Sequence, residues 1–267
     1  MPFRIVQSKQ NGRLKQLRKA LAQPGRDERG LAGIEGPNLL KEALRAGLKL
    51  DCVFAAEGSE RLIEEVGLAP GTEVLLVAGE LLRAALATET PQLVAALVET
   101  PEWSWDFLLA RRRNSPALVV VLAGLQDPGN VGTILRSAEA FGANGVVALP
   151  GTVSTWNPKS VRASAGSVFR LPVIAADADE CLARLRAAGL KIWTTAMDEA
   201  EDADHADLTG PIALILGNEG NGVAEELAAA ADGTLTIPCP GPVESLNASI
   251  AASVLLYEAS RQRGVRR

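Results

Sequence analysis

The chain has few of the residues that most often carry chemistry, and each scarcity removes a class of protein. Its 267 residues include three cysteines and one histidine. Cys52, Cys181 and Cys239 lie far apart without metal-ligand spacing, and an odd count argues against a secreted disulfide framework. A reducing, cytoplasmic compartment fits best. His205 sits in an acidic stretch from Asp198 to Asp207 with no partner in sequence, and it receives no role. The longest apolar run, Ala117 to Leu125, falls well short of the about 20 residues that span a bilayer. The N-terminus is polar and basic with no apolar core after it, so neither export nor membrane insertion is expected. Neither QDPGNVG nor GNEGNGV reads GxGxxG, and no Walker lysine follows a glycine loop. A nucleotide oxidoreductase is disfavoured on that ground.

What is present is ample core and uneven charge. A hydrophobic content of 47% suits one large domain or two modest ones. The net charge is -5, yet residues 1–30 hold eight basic side chains against two acidic ones. Arg13, Lys15 and Arg18 belong to that segment. Arg111-Arg112-Arg113 and Arg261, Arg263, Arg266 and Arg267 form two further clusters, and Lys159 and Arg162 lie in a polar connection between them. Each cluster alone reads equally well as a solvated face; together they lean towards phosphate contacts.

From Leu31 to Glu99 helical and strand periods alternate: GPNLLKEALRAG reads as a helix closed by Gly47, and LDCVFAA as a strand. No catalytic constellation appears there. Composition turns strongly apolar near Asn114, which divides the chain into a basic segment (1–30), a smaller α/β domain (31–113) and a second α/β domain (114–267). Trp103 and Trp105 beside that boundary read first as packing residues and second as base-stacking ones.

Three stretches of the second domain are informative. ALVVVLAGL reads as a strand buried on both faces, and QDPGN leads into VGTILRSAEAFGA, where Val131, Ile134, Leu135, Ala138 and Phe141 form one stripe. Asn130 is placed to cap that helix, and Arg136 points off the stripe. A second buried strand, Ile212 to Leu216, ends in Gly217-Asn218-Glu219-Gly220-Asn221-Gly222. Glycine permits close backbone approach at the carboxyl end of a strand, where open α/β sheets bind ligands. A turn has no need of the Glu219 carboxylate. Last, IPCPGPVESLNASIAASVLLYE runs through a Pro/Gly loop into Ser245-Leu246-Asn247 and a long apolar helix. Ser245 and Asn247 both suit a cap.

In this order and spacing LQDPGNVGTILRSAEAFGA, LILGNEGNGV and IPCPGPVESLNASIAASVLLYE resemble the three motifs of the SpoU-like (TrmH-like) branch of the SPOUT superfamily, RNA ribose 2′-O-methyltransferases. NPKSVRASAGSVF resembles the family's connecting segment, and GIEGPNLLKEALRAG the start of its ribosomal-protein-like RNA-binding domain. The resemblance implies a C-terminal α/β-knot domain with a parallel sheet and a deep trefoil knot, S-adenosylmethionine as cofactor, no metal, and a homodimer. It assigns Leu216, Gly217, Asn218, Gly222, Ile237 and Leu246 to the cofactor, and Asn130, Arg136, Glu219, Ser245 and Asn247 to the active site. Arg13, Lys15, Arg18, Lys159 and Arg162 are the expected RNA contacts. Cys239 and Ala248 depart from the family pattern of Met and Val. Ribosomal RNA is the expected substrate, with tRNA as the alternative; a non-catalytic RNA-binding protein on the same scaffold is the rival from another class.

Overall fold

The computed structural model describes residues 3–23, 25–86, 88, 92–110, 115–196, 200–218, 220–242 and 245–264. It divides into two compact units, residues 1–102 together with 156–170, and residues 103–155 together with 171–267.

The first unit is built on a sheet of five strands: β1 (Phe3–Val6), β2 (Leu31–Glu35), β3 (Leu50–Ala56), β4 (Val74–Val77) and β5 (Val94–Glu99). Their spatial order is β1-β4-β3-β5-β2. β1, β4 and β3 run parallel, while β5 pairs antiparallel with both β3 and β2. Four helices, α1 (Gly12–Ala22), α2 (Pro37–Arg45), α3 (Glu60–Val66) and α4 (Gly79–Arg83), fill the connections.

The first thirty residues are therefore not a separate basic segment. β1 pairs with β4 from Phe3↔Val74 to Val6↔Val77. Leu14, Leu17 and Leu21 of α1 share one apolar cluster with Phe54, Leu75 and Leu97. The spacing i, i+3, i+7 gives α1 an apolar stripe that must be covered, and the sheet covers it while the cations stay outside.

The second unit opens with α5 (Trp105–Leu109), so the compact units part after Glu102 and not near Asn114, which lies outside the described residues. Leu108 is fully buried with Val119, Val121 and Val147, and Trp105 Nε1 donates to Glu180 Oε1 at 2.9 Å. Those contacts tie α5 to the second unit. The chain continues through β6 (Leu118–Leu122), α6 (Pro128–Ala140), β7 (Gly145–Ala148), α7 (Pro158–Ala163), β8 (Val173–Ala175), α8 (Ala178–Ala187), β9 (Lys191–Thr195) and β10 (Glu201–Asp202). It closes with β11 (Ile212–Leu216), α9 (Glu225–Ala229), β12 (Gly233–Thr236) and α10 (Ala248–Gln262). α7 belongs to the first unit, where Arg170 Nη1 donates to Glu42 Oε2 at 2.7 Å.

The second sheet has seven strands, all parallel, in the order β10-β12-β9-β11-β6-β7-β8. Every residue of β6 and β11 is buried, as expected of Val/Leu/Ile runs covered on both faces. The chain moves outward from β6 to β8, then returns to the other side of β6. β11 enters between β9 and β6 after both are made, and the order of strands reverses there, which is where parallel α/β sheets place ligands.

Candidate active site

Every described residue of the expected cofactor and catalytic sets lies in the second unit, in or beside loops that leave the carboxyl ends of β6, β11 and β12. After β6 the side chain of Asp127 accepts from Asn130 N at 2.8 Å and caps α6. Asn130, expected as the cap, is the third residue inside the helix. Pro128 explains the shift: with fixed φ and no N–H it suits the first helical position, so the capping residue must precede it.

After β11 the chain folds tightly on itself. Asn218 N and Gly222 N each donate to the other's carbonyl oxygen at 2.9 Å. A Cβ on Gly217 would stand 2.1 Å from the carbonyl carbon of Gly222, so no side chain fits at that position. Asn218 spends its amide within the protein: Nδ2 donates to Gly124 O at 2.9 Å, and Oδ1 accepts from Gly220 N at 2.8 Å. Its side chain locks this loop to the end of β6. Glu219 lies outside the described residues.

After β12 come Ile237, half-buried, and Cys239, exposed with Sγ 3.3 Å from Ile237 O. Ser245 is exposed and Leu246 half-buried. Of the two cap candidates Asn247 is the one that caps α10, its Oδ1 accepting from Ser249 N at 2.9 Å and from Ser249 Oγ at 2.7 Å. Its Nδ2 donates to Asn130 Oδ1 at 3.1 Å, joining two motifs 117 residues apart.

Other contacts join α6 and α10 as well. Ser137 Oγ and Ser253 Oγ are 2.7 Å apart, and the rings of Phe141 and Tyr257 meet edge to face at 5.8 Å. All three pairs ascend both helices together, so α6 and α10 run side by side and parallel. Both N-termini then lie at the ligand end of the sheet. The far end of α10 is anchored by Arg263, whose half-buried guanidinium donates to the carbonyls of Leu208, Pro116 and Gly210 at 2.9, 3.0 and 2.6 Å. Burial lowers its pKa from the usual arginine value. Arg136 is its opposite: exposed on α6, with no ion pair or hydrogen bond among the described residues.

The donor set suits an adenosine-bearing cofactor. Leu216 closes the strand, Ile237 and Leu246 leave part of their apolar surface open, and Gly217 and Gly222 let a ligand approach the backbone closely, although the N–H groups of Asn218, Gly220, Asn221 and Gly222 are spent inside the loop.

The expected RNA contacts divide. Arg13 is committed inside the first unit: Nη1 donates to Asp51 Oδ2 at 2.7 Å and Nε to Glu73 Oε2 at 3.0 Å. Lys15 and Arg18 are exposed on α1, and Lys159 and Arg162 on α7. Missed in the sequence is a groove between α1 and the loop after it, where Lys15, Lys19, Arg26 and Arg29 converge with Gln16 and Gln23. Asp27 shapes that loop by accepting from Leu31 N, Arg29 N and Gln16 Nε2. Burial works against its charge, but those hydrogen bonds outweigh it and hold the carboxyl below the usual aspartate value.

Comparison with known proteins agrees with this geometry. An S-adenosylmethionine-bound rRNA methyltransferase structure from Sinorhizobium meliloti superposes with a TM-score of 0.84 at 31% identity, covering 97% of this chain and 98% of that one. The SpoU methyltransferase AviRb of Streptomyces viridochromogenes, in complex with the same cofactor, gives 0.82 at 31% identity over 97% and 100% of the two chains. Fold and site together define a methyltransferase of the SPOUT class, with a parallel α/β sheet and ligand loops at its carboxyl edge. The chain belongs to the SpoU rRNA methylase family, whose model matches residues 117–257. An MRM3-like substrate binding domain matches residues 11–96. A relative in Bacillus subtilis, the 23S rRNA (guanosine(2553)-2′-O)-methyltransferase RlmP, is 32% identical over 94% of this chain and 97% of its own length.

Proposed function

We propose that the protein methylates a ribose 2′-hydroxyl in 23S-type ribosomal RNA, using S-adenosylmethionine, as a cytoplasmic homodimer. The observation that carries this reading is the pairing of Asn130 with Asn247 at the N-terminal ends of two parallel helices, one of which also presents Arg136, exposed and without an ion pair among the described residues.

The cofactor, when bound, supplies a methyl carbon made electrophilic by its sulfonium. Leu216, Gly217, Gly222, Ile237 and Leu246 would hold it by apolar contact and backbone hydrogen bonds. Arg136 offers a guanidinium, which has five N–H donors and no acceptor, so its task is to stabilise the developing 2′-oxyanion or the neighbouring phosphate, and the hydroxyl proton passes to another acceptor or to water. Asn130 and Asn247 orient the reacting groups, and holding them in line accounts for a large share of the barrier reduction.

RNA is engaged by the first unit. Lys15, Lys19 and Arg26 are exposed cations in one groove, each without an intramolecular ion pair among the described residues. The substrate-binding domain match, and the 23S rRNA specificity named for the Bacillus subtilis and Streptomyces viridochromogenes relatives, support ribosomal RNA over tRNA. The dimer reading rests on α10: Leu255 and Leu256 are buried, whereas Ile250, Val254 and Tyr257 are 53%, 38% and 54% exposed in one stripe. A stripe of that spacing on a helix already packed on its other side suits a second copy of the chain. The cytoplasmic setting rests on the unpaired cysteines; among the described residues no helix is long and apolar enough to cross a membrane.

The test is transfer of labelled methyl to total RNA from a strain lacking the protein, followed by mapping of the modified nucleotide. A 2′-O-methyl in large-subunit ribosomal RNA is the expected product. Label on a base, or on tRNA alone, would refute the assignment.

A further inference from the structure

Among the contacts that join α6 and α10, the hydrogen bond from Asn247 to Asn130 has its direction fixed at the Asn247 end. A side-chain amide can be turned over, exchanging its donor and acceptor ends, unless a neighbour is restricted to one role. At Asn247 such a neighbour exists. The backbone N–H of Ser249 can only donate, and it lies 2.9 Å from Asn247 Oδ1. The oxygen of the amide must therefore face α10, and the nitrogen must face Asn130. The same restriction passes on: Asn130 has to meet that nitrogen with Oδ1, at 3.1 Å, which turns its own Nδ2 away from Asn247. The cap of one helix thus sets two amide orientations, the second of them on the other helix.

Ser249 adds to this through its side chain. It is 7% exposed, and its Oγ lies 2.7 Å from Asn247 Oδ1, a second donor on the same oxygen. Its backbone carbonyl accepts from Ser253 Oγ at 2.7 Å, and Ser253 Oγ is 2.7 Å from Ser137 Oγ of α6. A polar seam therefore runs from Ser137 through Ser253 and Ser249 to Asn247 and Asn130. Turning the Asn247 amide over would set its nitrogen against the Ser249 N–H and leave the buried hydroxyl to rearrange. Both donors on Asn247 Oδ1 oppose that.

We propose that Ser249 is a positioning residue for methyl transfer: through its hydroxyl it holds Asn247 in the one orientation that presents a donor to Asn130. The proposal rests on the assignment of Asn247 to the active site. Ser249 does not touch the reacting atoms; it acts through Asn247.

The experiment is a double-mutant cycle on transfer to RNA, with kcat, KM and cofactor affinity measured for Ser249→Ala, Asn247→Asp and the pair. Asp keeps the cap, because a carboxylate accepts from Ser249 as the amide oxygen does, but it has no donor for Asn130. Ser249→Ala is expected to lower kcat by about tenfold, the worth of one buried hydrogen bond, with KM and cofactor affinity nearly unchanged. Ser249→Thr, which keeps the hydroxyl, should restore the rate. In the Asn247→Asp background Ser249→Ala should have no further effect. An unchanged kcat in Ser249→Ala overturns the proposal alone, as does an equal loss in both backgrounds, which marks general damage to α10. A normal rate in Asn247→Asp instead overturns the placement of Asn247 in the site, and the proposal falls with it.

Discussion

Arg13 and Asp51 form an ion pair at 2.7 Å across 38 residues, with Glu73 accepting from the same guanidinium. Its pKa is raised: burial opposes the charge, and the two carboxylates beside it prevail. A cation held this way is not available to a phosphate. Arg13→Ala is expected to cost about 1 kcal/mol of stability, read as a lower denaturant midpoint, while leaving the salt dependence of RNA binding intact. Replacing Lys15, Lys19 and Arg26 by Ala should do the reverse. Binding would weaken and the slope of log K against log salt would flatten by up to about three units, with the denaturation midpoint unmoved.

In the proposed mechanism Arg136 carries the electrostatic part. Arg136→Ala should leave cofactor binding by calorimetry close to that of the parent and reduce transfer by about a thousandfold. Loss of cofactor affinity in the same variant would show that the residue shapes the pocket instead.

The cysteines offer a probe that needs no RNA. Cys52 and Cys181 are buried; burial pushes the Cys181 thiol up to about 12 and raises that of Cys52 further. Cys239 is exposed beside Ile237. A thiol reagent should label Cys239 alone in the native protein, and saturating S-adenosylmethionine should slow that labelling. A rate indifferent to cofactor would separate the loop after β12 from the pocket.

The stripe on α10 predicts the assembly. Ile250→Asp with Tyr257→Asp should convert a dimer to a monomer in sedimentation while the circular dichroism of the fold is kept. Transfer should fall with the loss of the dimer if the partner completes the site. A parent protein that sediments as a monomer would refute the reading at once.

The motifs were legible because each is local: a buried apolar run, a glycine turn and a helix start within about 20 residues. LDCVFAA and Ile212 to Leu216 are strands as expected, and Gly47 follows α2 at a φ of 73°. Asp127 as the cap was also within reach, since Asp-Pro ahead of an apolar stripe is a start signal in its own right. The remainder depends on partners far apart in sequence. Nothing near Arg13 announces Asp51 and Glu73, and nothing in NPKSVRASAGSVF announces that Gly166 lies so close to Glu42 of the first unit that a Cβ there would stand 2.7 Å from Glu42 Cβ. The Asn130–Asn247 bond is of the same kind, because a capping residue shows only one of its two hydrogen-bonding ends to its own helix.

β11 lies between β6 and β9, two strands that leave the ribosome before it. Until Leu216 has emerged, the half-made sheet has a gap at its centre, and both strands flanking the gap expose backbone edges able to pair wrongly. The loop that should receive the cofactor is made of the residues next to leave. Synthesis order therefore sets when this enzyme can first bind its methyl donor: not before Leu216 and the loop that follows it are out, however early the first unit has folded.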